Sequence, residues 1–404
     1  MDLETELTSL FFVLLLAATA PILVGLIPVR IPQVVILLFG GVLIGPEMLG
    51  LADDSALDLF SQVGLGFLFL LAGYEIDLEL IKQPVMKRAA SAWLVSVAVS
   101  LVVTGILAML GVVSAFVPIA IGLTTTALGT ILPIVKDAGL LEGRLGKPIL
   151  ANGASGEFLP ILAIAIFLGT SGEFVAILTL VFFGLIALAV VYVPRRLVPM
   201  NVSDIVARGT ESTSQATLRW VAALLVGLLL VASSLGLDVI LGAFIAGVVL
   251  RLSQPRDIEL LEHKLDAIGY GFFIPIFFIV SGMGLDVDSI VENPGRLVLF
   301  FVLLLVVRGG SVYFMHWNLP RQDRRTLAFF AATALPLLVA LAEIGMDSGH
   351  MQPANAAALV GAGALSVLVF PLLAMRGRRT SDAAGQGSAT DDVTPPHAGT
   401  ERTG

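Results

Sequence analysis

FLFLLAGYEID, at residues 67–77, returns as IFFIVSGMGLD at residues 276–286, an offset of 209. Two further pairs of short segments repeat in the same order at offsets of 206 and 207. These pairs are Gly41-Val42-Leu43 with Gly247-Val248-Val249, and Thr126-Ala127-Leu128 with Thr333-Ala334-Leu335. Each match is weak in an apolar chain, but three in order at nearly one offset indicate an internal repeat. We predict its two copies at about 30–169 and 238–376.

Apolar runs of about 20 residues recur along most of the chain, and this is the length that a helix needs to cross a bilayer. Of the 404 residues, 57% are hydrophobic and only 13% are charged. A soluble domain carries roughly twice that charged fraction. We therefore predict an all-α polytopic membrane protein with about 13 transmembrane helices in residues 1–379. A disordered cytoplasmic tail is predicted at 380–404.

Several classes of function are disfavoured by what the sequence lacks. The chain has no cysteine, its four histidines are scattered, and no Gly-rich nucleotide-binding pattern occurs. Disulfides, thiolate or histidine metal sites and nucleotide cofactors are therefore not expected. No nucleophile–base pair can be assembled from the sequence. We expect neither enzymatic activity nor a cofactor, and no nucleic-acid partner.

Positive charge alternates between successive connections of the predicted helices. Twenty of the 23 lysines and arginines fall in every second connection, whereas the opposite connections contain only Arg296. Because cytoplasmic loops carry the excess of positive charge, we predict the N-terminus outside and the C-terminus in the cytoplasm. The alternation would fail if one span were miscounted, so it also supports 13 spans. The expected location is the cell (inner) membrane.

The repeat offset covers seven predicted helices, an odd number, so the two copies have opposite orientations in the membrane. Inverted repeats with interrupted helices are the architecture of secondary transporters. Pro133 and Pro336 interrupt the fifth and twelfth predicted helices, which the repeat makes equivalent. Helix ends and unwound carbonyls at such breaks can hold charge or coordinate a cation. The alternative is that both prolines only kink packed helices.

Two charges lie near the middle of apolar helices, Glu157 in 146–169 and Arg308 in 295–315. Each costs about 2.5–3.5 kcal/mol at that depth on insertion scales, so each needs a functional or structural reason. Burial disfavours an ionised carboxylate, which would allow Glu157 to exchange a proton for a metal cation. A purely structural carboxylate is the alternative. Arg308 keeps its charge, so we favour a structural and electrostatic role, paired with Glu157 or with helix ends.

Hydroxyl groups surround the first predicted break. The candidate ligands of a hard cation are Thr124, Thr125, Thr126 and Thr130, together with Ser155 two residues before Glu157. For the threonines, the alternative is hydrogen bonding to the preceding helical turn. Thr333, the repeat equivalent of Thr126, is assigned with Arg308 to the structural side of the site. The acids Glu75, Asp77 and Asp286 lie at helix ends and are interpreted as boundary or capping residues.

Five segments resemble the cation/proton antiporter superfamily, on the side of bacterial Na⁺/H⁺ exchangers and Kef-type K⁺/H⁺ antiporters. They are IPQVVILLFGGVLIGP (31–46), GFLFLLAGYEIDL (66–78), TTTALGTILPIVKDAGLL (124–141), LGAFIAGVVL (241–250) and PIFFIVSGMGLD (275–286). The resemblance implies a homodimer with a scaffold layer and a mobile layer, in which the fifth and twelfth helices cross as broken helices beside an acidic site.

The acidic motif of this family is an Asp-Asp or Asn-Asp pair, and the matching positions here are Gly156 and Glu157. The basic residue of the eleventh helix matches Arg308. With one titratable acid and a permanent cation, the resemblance implies electroneutral exchange of one proton for one monovalent cation. No metal other than the transported ion is expected.

The favoured function is therefore a secondary transporter that exchanges Na⁺ or K⁺ for protons by alternating access around Glu157. The missing first acid at Gly156 leaves open a non-transporting or sensor homologue. A carrier of another solute, such as an anion held by Arg308, is the third hypothesis.

Overall fold

The structure is a computed structural model, and it describes residues 3–26, 31–76, 78–168, 177–186, 188–189, 216–253 and 258–389. Within these ranges all regular structure is helical, and no strand is formed. Asp77 and the predicted tail beyond residue 389 lie outside the described residues, so their predicted roles stay predictions.

The helices of the first half are α1 (Leu3–Leu26), α2 (Gln33–Ile44), α3 (Asp58–Tyr74), α4 (Leu78–Ile81), α5 (Pro84–Met109), α6 (Phe116–Gly122), α7 (Leu128–Asp137) and α8 (Gly146–Phe167). The helices of the second half are α9 (Ile177–Ile186), α10 (Ala216–Ser234), α11 (Val239–Ser253), α12 (Ile258–Ile268), α13 (Ile274–Met283), α14 (Val287–Glu292), α15 (Pro294–Leu303), α16 (Gly310–Met315), α17 (Arg321–Ala332), α18 (Pro336–Asp347) and α19 (Pro353–Ala389). Short π-helical segments, Gly269–Phe273 and Leu304–Gly309, join α12 to α13 and α15 to α16.

Among the described residues, seven helical segments are long and apolar enough to cross a membrane. They are α1, α5, α8, the continuous segments containing α13 and α15–α16, the interrupted pair α17–α18, and α19. Five shorter apolar helices accompany them, including α2, α3 and α11. The prediction of an all-α polytopic membrane protein is confirmed. Helix α19 continues to Ala389, ten residues into the segment for which the sequence predicts a tail.

Two interruptions occur near the predicted places, but the prediction that Pro133 makes the first one is wrong. The chain leaves α6 at Gly122 and starts α7 at Leu128, so Pro133 lies inside α7. The break instead falls at the threonines 124–126, where two hydroxyls bond to carbonyls of the preceding turn and compete with helical pairing. Pro336 does mark the second break, since it is the first residue of α18, where its missing N–H costs nothing.

The internal repeat reappears as a repeat of helix contacts. A Cβ at Gly41 of α2 would strike the carbonyl oxygen of Ile279 on α13, and a Cβ at Gly247 of α11 would strike that of Leu70 on α3. The two contacts are related by the sequence offsets, because Gly41 corresponds to Gly247 and Leu70 to Ile279. Only glycine allows these backbones to approach so closely. The contact of α2 with α13 is therefore the counterpart of the contact of α3 with α11.

The helices pack into two bundles. The first bundle contains α1, α2, α3, α10, α11 and the α12–α13 segment. The second bundle contains α5, α6, α7, α8 and the helices α15 to α19. Helix α8 also touches α11, where the rings of Phe158 and Phe244 stack with their centroids 5.4 Å apart. The cavity described next lies between the two bundles.

Candidate functional site

A cavity of about 540 Å³ separates α2, α3 and α13 of the first bundle from α7 and α8 of the second. Most of its wall is apolar, including Leu37, Phe69 and Phe278. Its polar lining consists of Gln33, Glu75, Thr130, Asp137, Glu157 and Tyr270. A mainly apolar cavity with a few converging polar groups is the usual form of a small-ligand site.

Glu157 reaches this cavity from the middle of α8 and is partly buried. Gly153 and Gly156 lie four residues and one residue before it, and both pack against other parts of the second bundle. The glycine-bearing face of α8 thus packs against the second bundle, and the face that carries Glu157 lines the cavity. The sequence prediction of a charged group in a largely apolar interior agrees with this position.

A second carboxylate, Glu75, enters the same cavity from the C-terminal end of α3. The hydroxyl of Tyr270 accompanies it, since a Cβ at Gly129 would lie 3.5 Å from the Tyr270 oxygen and 4.0 Å from Glu75 Oε2. Glu75 belongs to the first bundle and Glu157 to the second. The cavity therefore holds one acid from each bundle.

Arg308 is completely buried, and it joins the first helix break to α8 rather than pairing with Glu157. Its Nε donates to Thr126 Oγ1 at 3.0 Å, and its Nη2 donates to the Asn152 carbonyl at 2.7 Å. Nη2 also approaches Ser155 Oγ at 3.5 Å, whereas Nη1 is buried without a hydrogen-bond partner among the described residues. Ser155 and Glu157 are two residues apart, so they point to different sides of α8.

The guanidinium of Arg308 fills the space that a side chain at position 156 would need. A Cβ at Gly156 would lie 2.6 Å from Arg308 Nη2 and closer still to Thr126 Oγ1. An Asp or Asn at this position is incompatible with Arg308 in its present place. The glycine at the position where the resembled family carries an acidic motif residue is therefore what leaves room for Arg308.

The two helix breaks meet directly beside α8. The Thr126 N–H donates to the Gly156 carbonyl at 2.8 Å, and the Ala127 N–H donates to the Thr333 carbonyl at 2.8 Å. The Thr126 hydroxyl adds a bond to the Ala331 carbonyl at 2.6 Å. Backbone groups that the breaks release are satisfied in this way inside the protein, as the dry interior of a membrane protein requires.

The structure separates the predicted cation ligands into two sets. Glu157 and Thr130 line the cavity, but Thr124, Thr125, Thr126 and Ser155 do not belong to its described lining. The hydroxyl of Thr125 donates to the Gly122 carbonyl at 2.8 Å, and that of Ser155 donates to the Asn152 carbonyl at 3.1 Å. Their role as ligands stays a prediction, and Thr333 lies at the breaks beside Thr126.

Sequence reasoning interpreted Glu75 as a boundary residue and did not select Tyr270. Glu75 does follow the last residue of α3, but it also lines the same cavity as Glu157. Its repeat equivalent is Gly284, so the asymmetry between the two copies was the available signal. The capping role of Asp286 is confirmed, because its Oδ1 accepts the Ser289 N–H at 2.9 Å at the start of α14. The Ser289 hydroxyl also donates to Asp286 Oδ2, and this bond together with the one from the Ser289 N–H lowers the pKa of Asp286 below its ordinary value.

Residues 13–375 match the family of sodium/hydrogen exchanger transmembrane domains. The chain is 27% identical over 388 residues to the putative Na⁺/H⁺ antiporter YjbQ of Bacillus subtilis, covering 91% of this chain and 62% of that protein. It is also 27% identical over 410 residues to the glutathione-regulated potassium-efflux system protein KefC of Salmonella schwarzengrund, covering 97% and 64%. The chain thus spans somewhat under two thirds of the length of these relatives. The solved structure of the sodium proton antiporter MjNhaP1 from Methanocaldococcus jannaschii at pH 8 shares the fold, with a TM-score of 0.59, 16% identity and coverage of 92% and 96%.

Proposed function

Because the chain belongs to the sodium/hydrogen exchanger family, we propose that it exchanges a monovalent cation, Na⁺ or K⁺, for protons across the membrane. The observation that carries the proposal is Glu157, a carboxylate in the middle of a membrane-length helix that faces a cavity. A proton and a cation compete for this group, since either neutralises its charge. Intramembrane acids of this kind mark ion and proton pathways.

The topology proposed for the transporter has 13 spans, two inverted repeats and two broken helices that cross beside Glu157. The bond between Ala127 and Thr333 supports the crossing, and the related glycine contacts support the repeats. With the N-terminus outside, the cavity opens toward the cytoplasm, because Asp137 adjoins the cationic connection that holds Lys136. The proposed assembly is a homodimer in the cell membrane, as the family resemblance implies.

Alternating access follows from the division of the site between the bundles. Glu157 and Arg308 belong to the second bundle, which moves, whereas Glu75 belongs to the first bundle, which stays in place. The hydrogen bonds among Thr126, Gly156 and Thr333 join α7, α8 and the second break, so these parts move together. When the second bundle shifts against the first, Glu157 carries its proton or cation from one side to the other, and Glu75 attracts the incoming cation.

Electroneutral exchange is proposed from the charges that move. The hydrogen bonds of Arg308 described above go to hydroxyl and carbonyl oxygens, which do not titrate. The moving bundle therefore carries the same net charge whether Glu157 holds a proton or a monovalent cation. One proton is exchanged for one cation, and the membrane potential has no net charge to act on.

The decisive experiment replaces Glu157 by Gln and measures exchange in everted membrane vesicles with a pH-sensitive dye, adding Na⁺, K⁺ and Li⁺ in turn. We expect Gln to abolish exchange and Asp to retain part of it. Glu142→Gln, in an exposed connection, is the matched control and should behave as the parent. Full exchange in the Gln variant would refute the assignment.

The sensor hypothesis depends on the absent acid at Gly156, and it would be favoured if the parent protein gave no signal with any cation. Anion transport by Arg308 receives no support from the geometry. The guanidinium bonds to Thr126 and Asn152 and is not part of the described cavity lining.

A further inference from the structure

A hydrogen bond joins the two bundles on the side of the molecule away from the cavity. The Ser281 hydroxyl, on α13 of the first bundle, donates to Glu343 Oε1, on α18 of the second. Both side chains are partly buried. A carboxylate held by a serine of the opposite bundle is a contact that any relative movement of the bundles must break.

The position of this pair follows from the helices that carry it. Pro336, at the start of α18, lines the cavity, and Glu343 lies seven residues further along the helix, or about 10 Å. Between them, Leu337, Leu338 and Leu341 are at most 4% exposed. Helix α3 also runs between Glu343 and the cavity, since it begins at Asp58 near Glu343 and is followed by Glu75 in the cavity.

The internal repeat relates this closed contact to the open cavity. At the offset of 209, Ser281 corresponds to Ala72 of α3, which lines the cavity. At the offset of 207, α18 corresponds to α7, whose Thr130 and Pro133 line the opposite wall. Thus α3 and α7 are held apart by the cavity, while their equivalents α13 and α18 touch through Ser281 and Glu343. In an inverted repeat, exchanging the two arrangements would open the second side.

We propose that Ser281 and Glu343 close the access pathway that leads to Glu157 from the side of the membrane opposite the cavity. The pair separates when the molecule opens to that side. The freed Glu343 carboxylate then lies at the mouth of the pathway near Asp58 and Asp347, and together these acids attract cations to it. This inference rests on the alternating access proposed above, but its test measures accessibility and does not require exchange.

The chain has no cysteine, so single cysteines can report accessibility without background labelling. Val339 is 2% exposed and lies on the Glu343 side of α18, one turn away. Thr130 lies in the open cavity. Each is replaced by Cys in the full chain, and the rate of modification by a membrane-impermeant thiol reagent is measured from each side of the membrane.

Removing the Ser281 hydroxyl should shift the population toward the state open on the second side. Losing a hydrogen bond to a carboxylate predicts a roughly 12- to 160-fold faster modification of Val339→Cys from that side in the Ser281→Ala background. Modification of Thr130→Cys from the cavity side should slow. Ser348→Ala is the matched control, because its hydroxyl bonds to the Ile344 and Gly345 carbonyls within α18.

Unchanged rates in Ser281→Ala, or equal changes in Ser281→Ala and Ser348→Ala, would overturn the proposal. If the parent protein exchanges no cation but Val339→Cys still responds to Ser281→Ala, the proposed function fails and the closure stands. If the parent protein exchanges cations but neither cysteine responds, the proposed function stands and the closure fails.

Discussion

Replacing Gly156 by Ala should damage the protein more than any change of that size on a free helix surface. The added Cβ would lie 2.6 Å from Arg308 Nη2 and still closer to Thr126 Oγ1, where van der Waals contact requires more than about 3 Å. Overpacking of a tight interior costs about 1–3 kcal/mol. If the guanidinium moves to relieve it, a charge-assisted bond worth about 1.5–3 kcal/mol is weakened as well. We expect a total cost of about 2.5–6 kcal/mol, the sum of these two ranges, or lost exchange in a protein that still inserts.

The assay compares thermal stability in detergent, followed by tryptophan fluorescence, with exchange in vesicles. Gly227→Ala is the control, since a Cβ at Gly227 of α10 meets no atom within 4 Å and the substitution favours the helix. Gly156→Ala should lower the melting temperature clearly, and Gly227→Ala should leave it unchanged or raise it. Equal stability and equal exchange in the two variants would show that Arg308 does not fill the space at Gly156.

Four further predictions concern the charges of the site and of one helix cap. Glu75→Gln should raise the KM for the cation with a smaller effect on the maximal rate, because Glu75 attracts the ion from the stationary bundle; an abolished maximal rate would place it with Glu157 instead. The KM for the cation should fall as the pH rises, since fewer protons compete for Glu157, and the exchange rate should decline at high pH, where protons become scarce. In proteoliposomes, an imposed membrane potential should leave the exchange rate unchanged. Asp286→Ala should cost about 0.5–2 kcal/mol by removing the cap of α14. Because Ser289 lowers the pKa of Asp286, the contribution of this cap is present at neutral pH and is lost as the pH falls through that lowered value, which thermal melts across a pH series would detect.

The sequence was sufficient for the features that depend on composition and spacing. An acid in an apolar helix predicted a role for Glu157, which lines the cavity, and the matched segments predicted a repeat that the contacts of Gly41 and Gly247 support. The exact break was not predictable from Pro133, because threonine hydroxyls can end a helix that a proline only bends. Glu75 was missed because a position at a helix end gives no information about which cavity that end faces.

The separation of Arg308 from Glu157 explains how one bundle can hold both charges in the proposed exchange mechanism. Had the guanidinium formed an ion pair with Glu157, it would have neutralised the carboxylate permanently, and neither a proton nor a cation would be needed there. Instead, the Thr126 hydroxyl and the Asn152 carbonyl accept the hydrogen bonds of Arg308 on another side of α8. The planar guanidinium makes these two bonds in different directions, which a lysine ammonium at the end of a flexible stem would not reproduce. Arg308→Lys should therefore loosen the meeting of the broken helices and lower stability, while Glu157 keeps its proton-dependent competition with the cation. A Lys variant that kept full stability but no longer showed that competition would mean that Arg308 acts on the carboxylate directly.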